Sequence, residues 1–146
     1  MNIVIDTNIL FSCLYKPSGI TYELMSKLSE THQLFISDIS ITEIFKHQER
    51  ILKSTKIAAV DFEKLKSKIL QKTETVALSL IPFSISEYSY KLVKGIDEND
   101  FAFVATSIFV NGFLWTSDKP LYNGLKKKGF VNLFTSNEIK ILIGYE

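Results

Sequence analysis

Short β-branched or aliphatic runs recur along this chain, and each gives way within a few residues to apolar side chains at helical spacing. The first run is NIVID, Asn2 to Asp6, followed by Thr7 and Asn8, polar side chains suited to the free amides that open a helix. Beyond a loop at Pro17, Ser18 and Gly19, Leu24, Met25 and Leu28 share one helical face. QLFIS, Gln33 to Ser37, reads as a second strand, and Ile41, Ile44, Phe45, Ile51 and Leu52 follow it at helical spacing. A helix from Ala58 to Leu70 turns Phe62, Leu65 and Ile69 inward, and TVALSLIPF then supplies a third strand ending near Pro82. Ser86 with Glu87 opens a helix that runs through Val93 and ends at Gly95, and Asp97 to Asp100 opens the next, with Phe101, Val104, Ala105, Ile108 and Phe109 as its apolar stripe. FLWTS is a fourth strand, Leu121 and Leu125 belong to the helix after it, FVNLFT is a fifth strand, and Ser136 or Asn137 caps a last helix.

Strands that alternate with helices on short connections predict an α/β fold with a mostly parallel sheet covered on both faces. Parallel neighbours need crossover connections, and those crossovers carry helices. At 146 residues, 46% of them hydrophobic, the chain has material for one domain, residues 1–146, with a continuous core. Sheets of this kind bind ligands beyond the carboxyl ends of their strands, where helix N-termini converge.

The formal net charge of +1 gives no global field to attract nucleic acid or a membrane. Lys126 to Lys128 is the one dense basic run, and a run so short suits a solvated helix end. The single cysteine, Cys13, cannot form an internal disulfide and lies among Leu10, Phe11 and Leu14 as a core residue does, so a cytoplasmic location is expected. No apolar run approaches the roughly 20 residues that cross a bilayer, so no membrane partner is expected.

Carboxylates stand where such a fold places a site. Asp6 ends the first strand, Asp118 follows the fourth, and Asp97 and Asp100 open the helix before the fourth, while Glu43 sits within the helix after the second strand among Ile41, Thr42, Ile44 and Phe45. Singly, Asp97, Asp100 and Asp118 suit helix caps, each stabilising by about 1 kcal/mol, and Glu43 suits an exposed pair with His47 one turn on. Asp6 is different, because a charge at the end of a central strand is partly buried and needs compensation. Arg50 is the only arginine and the lysines fall mostly on surface-type positions. Carboxylates without counter-charges repel one another unless protons or metal ions neutralise them. Oxygen ligands without a Cys or His cluster favour Mg²⁺ or Mn²⁺ over Zn²⁺. One or two such ions can bind a phosphodiester, lower the pKa of a bound water for in-line attack and stabilise the leaving oxygen. Lys46, His47, Arg50, Lys119 and Lys126 to Lys128 are candidates for holding substrate phosphates, against the plainer reading of each as a solvated side chain.

VIDTN at the N-terminus, ISITEIF after the second strand, DENDFAFVATSI and WTSDKPL, taken in that order, resemble the PIN-domain ribonucleases, and especially the toxins of VapBC-type toxin–antitoxin pairs. The resemblance covers nearly the whole chain. It implies a compact α/β/α sandwich, an acidic metal site and an endoribonuclease dependent on Mg²⁺ or Mn²⁺. By position it makes Asp6, Glu43 and Asp118 the first, second and fourth acids. It favours Asp100 as the third, since Asp100 leads directly into FVATSI, with Asp97 as a supporting ligand or a cap. Thr7 and Asn8 take the usual polar positions after the first acid, and Thr116 and Ser117 the small hydroxyl positions beside the last, supporting the acids rather than acting themselves. It also implies RNA as substrate, an antitoxin protein as partner and a homodimer that joins two modest basic edges.

Three other readings compete: an RNA-processing nuclease of the same fold without an antitoxin, an inactive RNA- or protein-binding module, and a phosphatase or receiver-like domain with Asp6 as phosphoryl acceptor. The last is disfavoured because Thr7 and Asn8 follow Asp6 where a phosphatase has a second aspartate. Trp115 belongs to the fourth strand and is expected in the core, with stacking on RNA a minor alternative.

Overall fold

The computed structural model describes all residues from Met1 to Glu146. Five strands, β1 (Asn2–Ile5), β2 (Gln33–Ser37), β3 (Glu74–Val76), β4 (Phe113–Trp115) and β5 (Leu133–Phe134), form one sheet in the order β3-β2-β1-β4-β5. Every neighbouring pair is parallel. Eight helices flank it: α1 (Thr7–Tyr15), α2 (Ile20–Thr31), α3 (Asp38–Thr55), α4 (Ala59–Gln71), α5 (Phe83–Val93), α6 (Phe101–Phe109), α7 (Lys119–Lys127) and α8 (Ser136–Leu142). The expected three-layer α/β/α sandwich is therefore present.

The period of two along β1 divides the two cores. Ile3 and Ile5 pack with buried residues of α1, α2, α3, α4 and α8, whereas Val4 between them packs with α5, α6 and α7. β1 has a strand on each side, and all of its residues after Asn2 are buried. Gly112, just before β4, sits where a Cβ would run into the backbone carbonyl of Asn2. Gly112→Ala is expected to force β4 away from β1 and to cost about 1–3 kcal/mol by overpacking, read as a lower midpoint in urea denaturation.

Several local expectations give way to tertiary context. The third strand covers only Glu74–Val76, and Leu78–Leu80 is a 3₁₀ turn. β3 is an edge strand, and the Asp38 carboxylate accepts a hydrogen bond from the Leu78 amide at 3.1 Å, which draws the chain off the ladder. Consequently α5 begins at Phe83, with Pro82 in the N-cap position and no side-chain cap, rather than at Ser86. The N-cap of α1 is Asp6 itself, whose side chain accepts from the Asn8 amide, rather than Thr7 or Asn8. The cap of α8 is Thr135, which exchanges reciprocal bonds with Glu138, rather than Ser136 or Asn137. Ile41 and Phe45, expected on the apolar face of α3, are exposed, Phe45 by 79%. α6 is buried nearly all round, and Phe109 leaves its stripe for solvent. Cys13 and Trp115 are core residues, the Trp115 ring N–H donating to Ser136 Oγ at 3.1 Å. No helix is long and apolar enough to cross a membrane.

Candidate metal centre

Because β1 lies between β2 and β4, it stands where the connections of the sheet diverge: α1, which follows β1, packs on one face and α7, which follows β4, packs on the other. Ligands bind at such divergence points in open parallel sheets. Asp6 is there, 2% exposed. One carboxylate oxygen accepts from the Asn8 amide at 3.2 Å and the other from the Thr116 hydroxyl at 2.7 Å, across 110 residues of sequence. Burial pushes the Asp6 pKa up, the Thr116 and Asn8 hydrogen bonds offset part of this, and Asp118 and Glu43 push it further up.

Thr116 Oγ1 also accepts from the Asp118 amide at 3.1 Å, so one hydroxyl fixes both the first acid and the loop that carries the last. Asp118 caps α7, accepting from the Leu121 amide at 3.0 Å, and leaves its second oxygen free of protein hydrogen bonds. Glu43 accepts from Thr7 Oγ1 at 3.1 Å, and Thr7 Oγ1 lies 2.7 Å from Ser40 Oγ. A hydroxyl has one proton, and the Thr7 proton goes to the carboxylate, which can only accept; Ser40 therefore donates to Thr7. Glu43 is thus held from α1 and makes no ion pair with His47.

Asp100 ends a 3₁₀ turn, Glu98–Asp100, directly before α6. Its Oδ2 is buried without a hydrogen-bond partner. Burial, and then the charges of Asp6, Asp97, Asp118 and Glu43, raise its pKa to about 7. Asp97 is exposed and caps the 3₁₀ turn through the Asn99 amide at 3.0 Å. Glu43, Asp97, Asp100 and Asp118 line one open cavity of about 560 Å³ with Asn8, Lys46 and His47, and Asp6 lies behind it. The ion pairs of the chain, Lys27–Glu23, Lys66–Glu63 and Lys91–Glu87, involve none of these acids.

The cations are spread out. Lys46 is on the rim of the acidic cavity, and Arg50 lines an adjoining cleft between α1 and α3. Lys119 lines a separate polar cleft of about 380 Å³ with Thr116, Ser117 and Asp118. Lys128 donates to the carbonyls of Lys91 and Lys94, and Lys126 lies 4.6 Å from the Tyr122 ring centre, which gives both structural work. Sequence reasoning missed Ser40. Its signal was position, a small hydroxyl one helical turn before Glu43.

All the donors are oxygens, four of the acids share one cavity, and a buried carboxylate oxygen lacks a partner; this set suits a hard divalent cation. As they stand, no three of the His, Cys, Asp or Glu side chains form a group arranged to hold a metal ion.

A family profile described as PIN domain matches residues 4–138. The chain belongs to the PIN-domain family. Among solved structures, this PIN domain is similar to VapBC2 from Rickettsia felis, whose crystal structure is bound to a DNA fragment from its promoter. The TM-score is 0.68 at 19% identity, over 92% of this chain and 97% of that one. It is also similar to PAE2754 from Pyrobaculum aerophilum, with TM-score 0.68 at 11% identity over 100% of this chain and 91% of that one. At such identities the likeness is one of fold. No curated protein matches this PIN domain in sequence. PIN domains are generally nucleases.

Proposed function

We propose that this PIN domain is an endoribonuclease that hydrolyses RNA phosphodiester bonds at the acidic cavity with Mg²⁺ or Mn²⁺, and that it is the toxin of a toxin–antitoxin pair. The observation that carries the catalytic part is Asp100: its buried, unpartnered Oδ2 lies in the field of four other carboxylates, none of them ion-paired. One or two divalent ions, when bound, would supply the missing positive charge, Lewis-acid polarisation of the phosphodiester and a more acidic water. Asp6, Glu43, Asp100 and Asp118 would hold such an ion, with Asp97 at its edge. Thr116 keeps Asp6 and the Asp118 loop in register, Thr7 with Ser40 keeps Glu43 turned toward the cavity, and Asn8 lines the entrance. Ser117 is exposed beside Asp118 and takes a supporting place at the rim. Lys46 and Lys119, on either side of the acids, steady the flanking phosphates as point charges.

The toxin reading is supported by the likeness of fold to VapBC2, a toxin–antitoxin complex. On that reading the chain works in the cytoplasm, is silenced by an antitoxin protein and pairs with a second copy, which gives a near-neutral surface more basic edge for RNA.

The test is cleavage of a mixed RNA pool by purified protein with Mg²⁺ or Mn²⁺, beside EDTA and an Asp6→Asn variant prepared identically. Metal-dependent cutting that disappears in the variant supports the reading; equal cutting by both proteins overturns it. The two candidate third acids also separate. Asp100→Asn is expected to lower cleavage on the order of 10²–10³-fold, as removal of one charge-stabilising group does. Asp97→Asn, which keeps the acceptor for the Asn99 amide and removes only an exposed charge, should stay within about tenfold of wild type. The reverse ranking in a metal-titrated cleavage assay makes Asp97 the third acid.

A further inference from the structure

The groove between α1 and α3 has no part in the acidic chemistry, yet it opens from it. Asn8 and His47 line both the acidic cavity and a smaller cleft of about 270 Å³, whose other walls are Phe11, Tyr15 and Arg50. Tyr15 also lines the next depression along the surface, beside Lys16 and Gly19. A continuous track therefore leads from the acids along one side of the sheet.

Its chemistry differs from that of the acidic cavity. Phe11 and His47 meet edge to face, ring centres 5.6 Å apart at 81°, which holds the His47 ring in place. Tyr15 is 40% exposed and its hydroxyl makes no hydrogen bond. Arg50, the only arginine of the chain, makes neither an ion pair nor a side-chain hydrogen bond, and the same holds for Lys46 on the rim and Lys16 beyond. Three unpaired cations thus follow a cleft walled by aromatic rings, next to a cavity whose acids repel any polyanion that lacks its metal. The cleft lies just below the roughly 300–1,000 Å³ of sites for drug-sized molecules, which suits one flat ring system. Aromatic walls take bases by their faces, and a base offers its face only when it is unpaired and unstacked. An arginine beside it suits a phosphate through its planar fork.

We propose that the cleft formed by Phe11, Tyr15, His47 and Arg50 is a subsite for one unpaired nucleotide of the RNA, flanking the bond to be cut, with its base against Tyr15 and His47 and its phosphate at Arg50. The position of the subsite beside the scissile bond rests on the nuclease reading, and the binding rests on the cleft alone. The subsite selects single-stranded segments and sets a base preference next to the cut.

Binding is tested apart from cleavage. A fluorescent ten-nucleotide RNA of mixed sequence, and the same strand in a blunt duplex, are titrated by anisotropy with wild-type protein in Ca²⁺ at several salt concentrations. The single strand should bind at least tenfold tighter than the duplex. Tyr15→Ala should weaken it roughly 5- to 100-fold, as loss of one stacked base does, with an unchanged salt slope. Tyr15→Phe should bind as wild type. Arg50→Ala should weaken binding and lower the salt slope by about one. Lys119→Ala, a charge change on the far side of Asp118, should leave the effect of Tyr15→Ala intact. Equal binding of duplex and single strand, or Tyr15→Ala with wild-type affinity, overturns the subsite. Failure of the mixed-pool cleavage assay with these binding results intact overturns the nuclease reading and leaves the subsite standing.

Discussion

Asp6→Asn should lower RNA cleavage on the order of 10²–10³-fold and leave the fold intact or slightly more stable. Asparagine keeps the shape: its Oδ1 can accept from the Asn8 amide while its Nδ2 donates to Thr116 Oγ1, so the two ties from the end of β1 to α1 and to the β4 loop can both persist. It removes a charge that burial and the neighbouring Asp118 and Glu43 disfavour. What it cannot do is supply an anionic oxygen to a divalent cation. Activity and stability therefore move in opposite directions, which separates a functional acid from a structural one. Cleavage of the mixed pool and urea denaturation of the same preparations are the two readouts; a variant that unfolds makes Asp6 part of the scaffold. Glu43→Gln should follow the same pattern, since Thr7 can donate to an amide oxygen as it does to the carboxylate.

The second large effect is a pH-dependent one at Asp100. Its pKa is raised from 3.8 to about 7 in the metal-free fold. Between these values the native state retains a proton that the unfolded chain has lost, so metal-free stability falls as pH rises from about 4 to about 7 and then levels off. At about 1.4 kcal/mol for each tenfold the whole shift corresponds to roughly 4 kcal/mol, and solvent screening of a partly exposed carboxyl reduces it to about 1–2 kcal/mol. Asp100→Asn has no such proton to lose. It should be more stable than wild type by that amount at pH 8 in EDTA and equal to it near pH 4. Mn²⁺ should reverse the ranking, because a ligand that binds only the native state stabilises it by mass action. Wild type should gain several degrees in melting temperature at pH 8, less at pH 6 where protons compete for the same oxygens, and the variant should gain little. Identical pH slopes for the two proteins would remove Asp100 from the coupled cluster.

Much of this architecture was legible because it is local. Strand runs of four or five residues and apolar spacing at three and four are written into neighbouring residues, and the rule that parallel strands need crossovers turns their alternation into a layered sandwich. Asp6 and Asp118 were legible for the same reason: a carboxylate directly after a strand must lie at the carboxyl edge of a parallel sheet. Glu43 stood out by its apolar flanks, although two of those flanks, Ile41 and Phe45, turned out to face solvent. The third strand failed where an edge strand met a competing acceptor, Asp38, forty residues away. Ser40 was harder to find, because its place one turn before Glu43 means something only once Glu43 is taken as a site residue, and a helical serine by itself reads the same whether buried or exposed.

The sequence by itself determined the order of strands and helices and the edge of the sheet on which the acids emerge, since both follow from periodicity and from the handover between adjacent elements. The tertiary structure alone decided which of those edges meet. The strand order β3-β2-β1-β4-β5 places β1 at the centre, brings Thr116 onto Asp6 across 110 residues, and closes the protein over one oxygen of Asp100. Burial and convergence are sums over distant parts of the chain, and no window of neighbouring residues contains them.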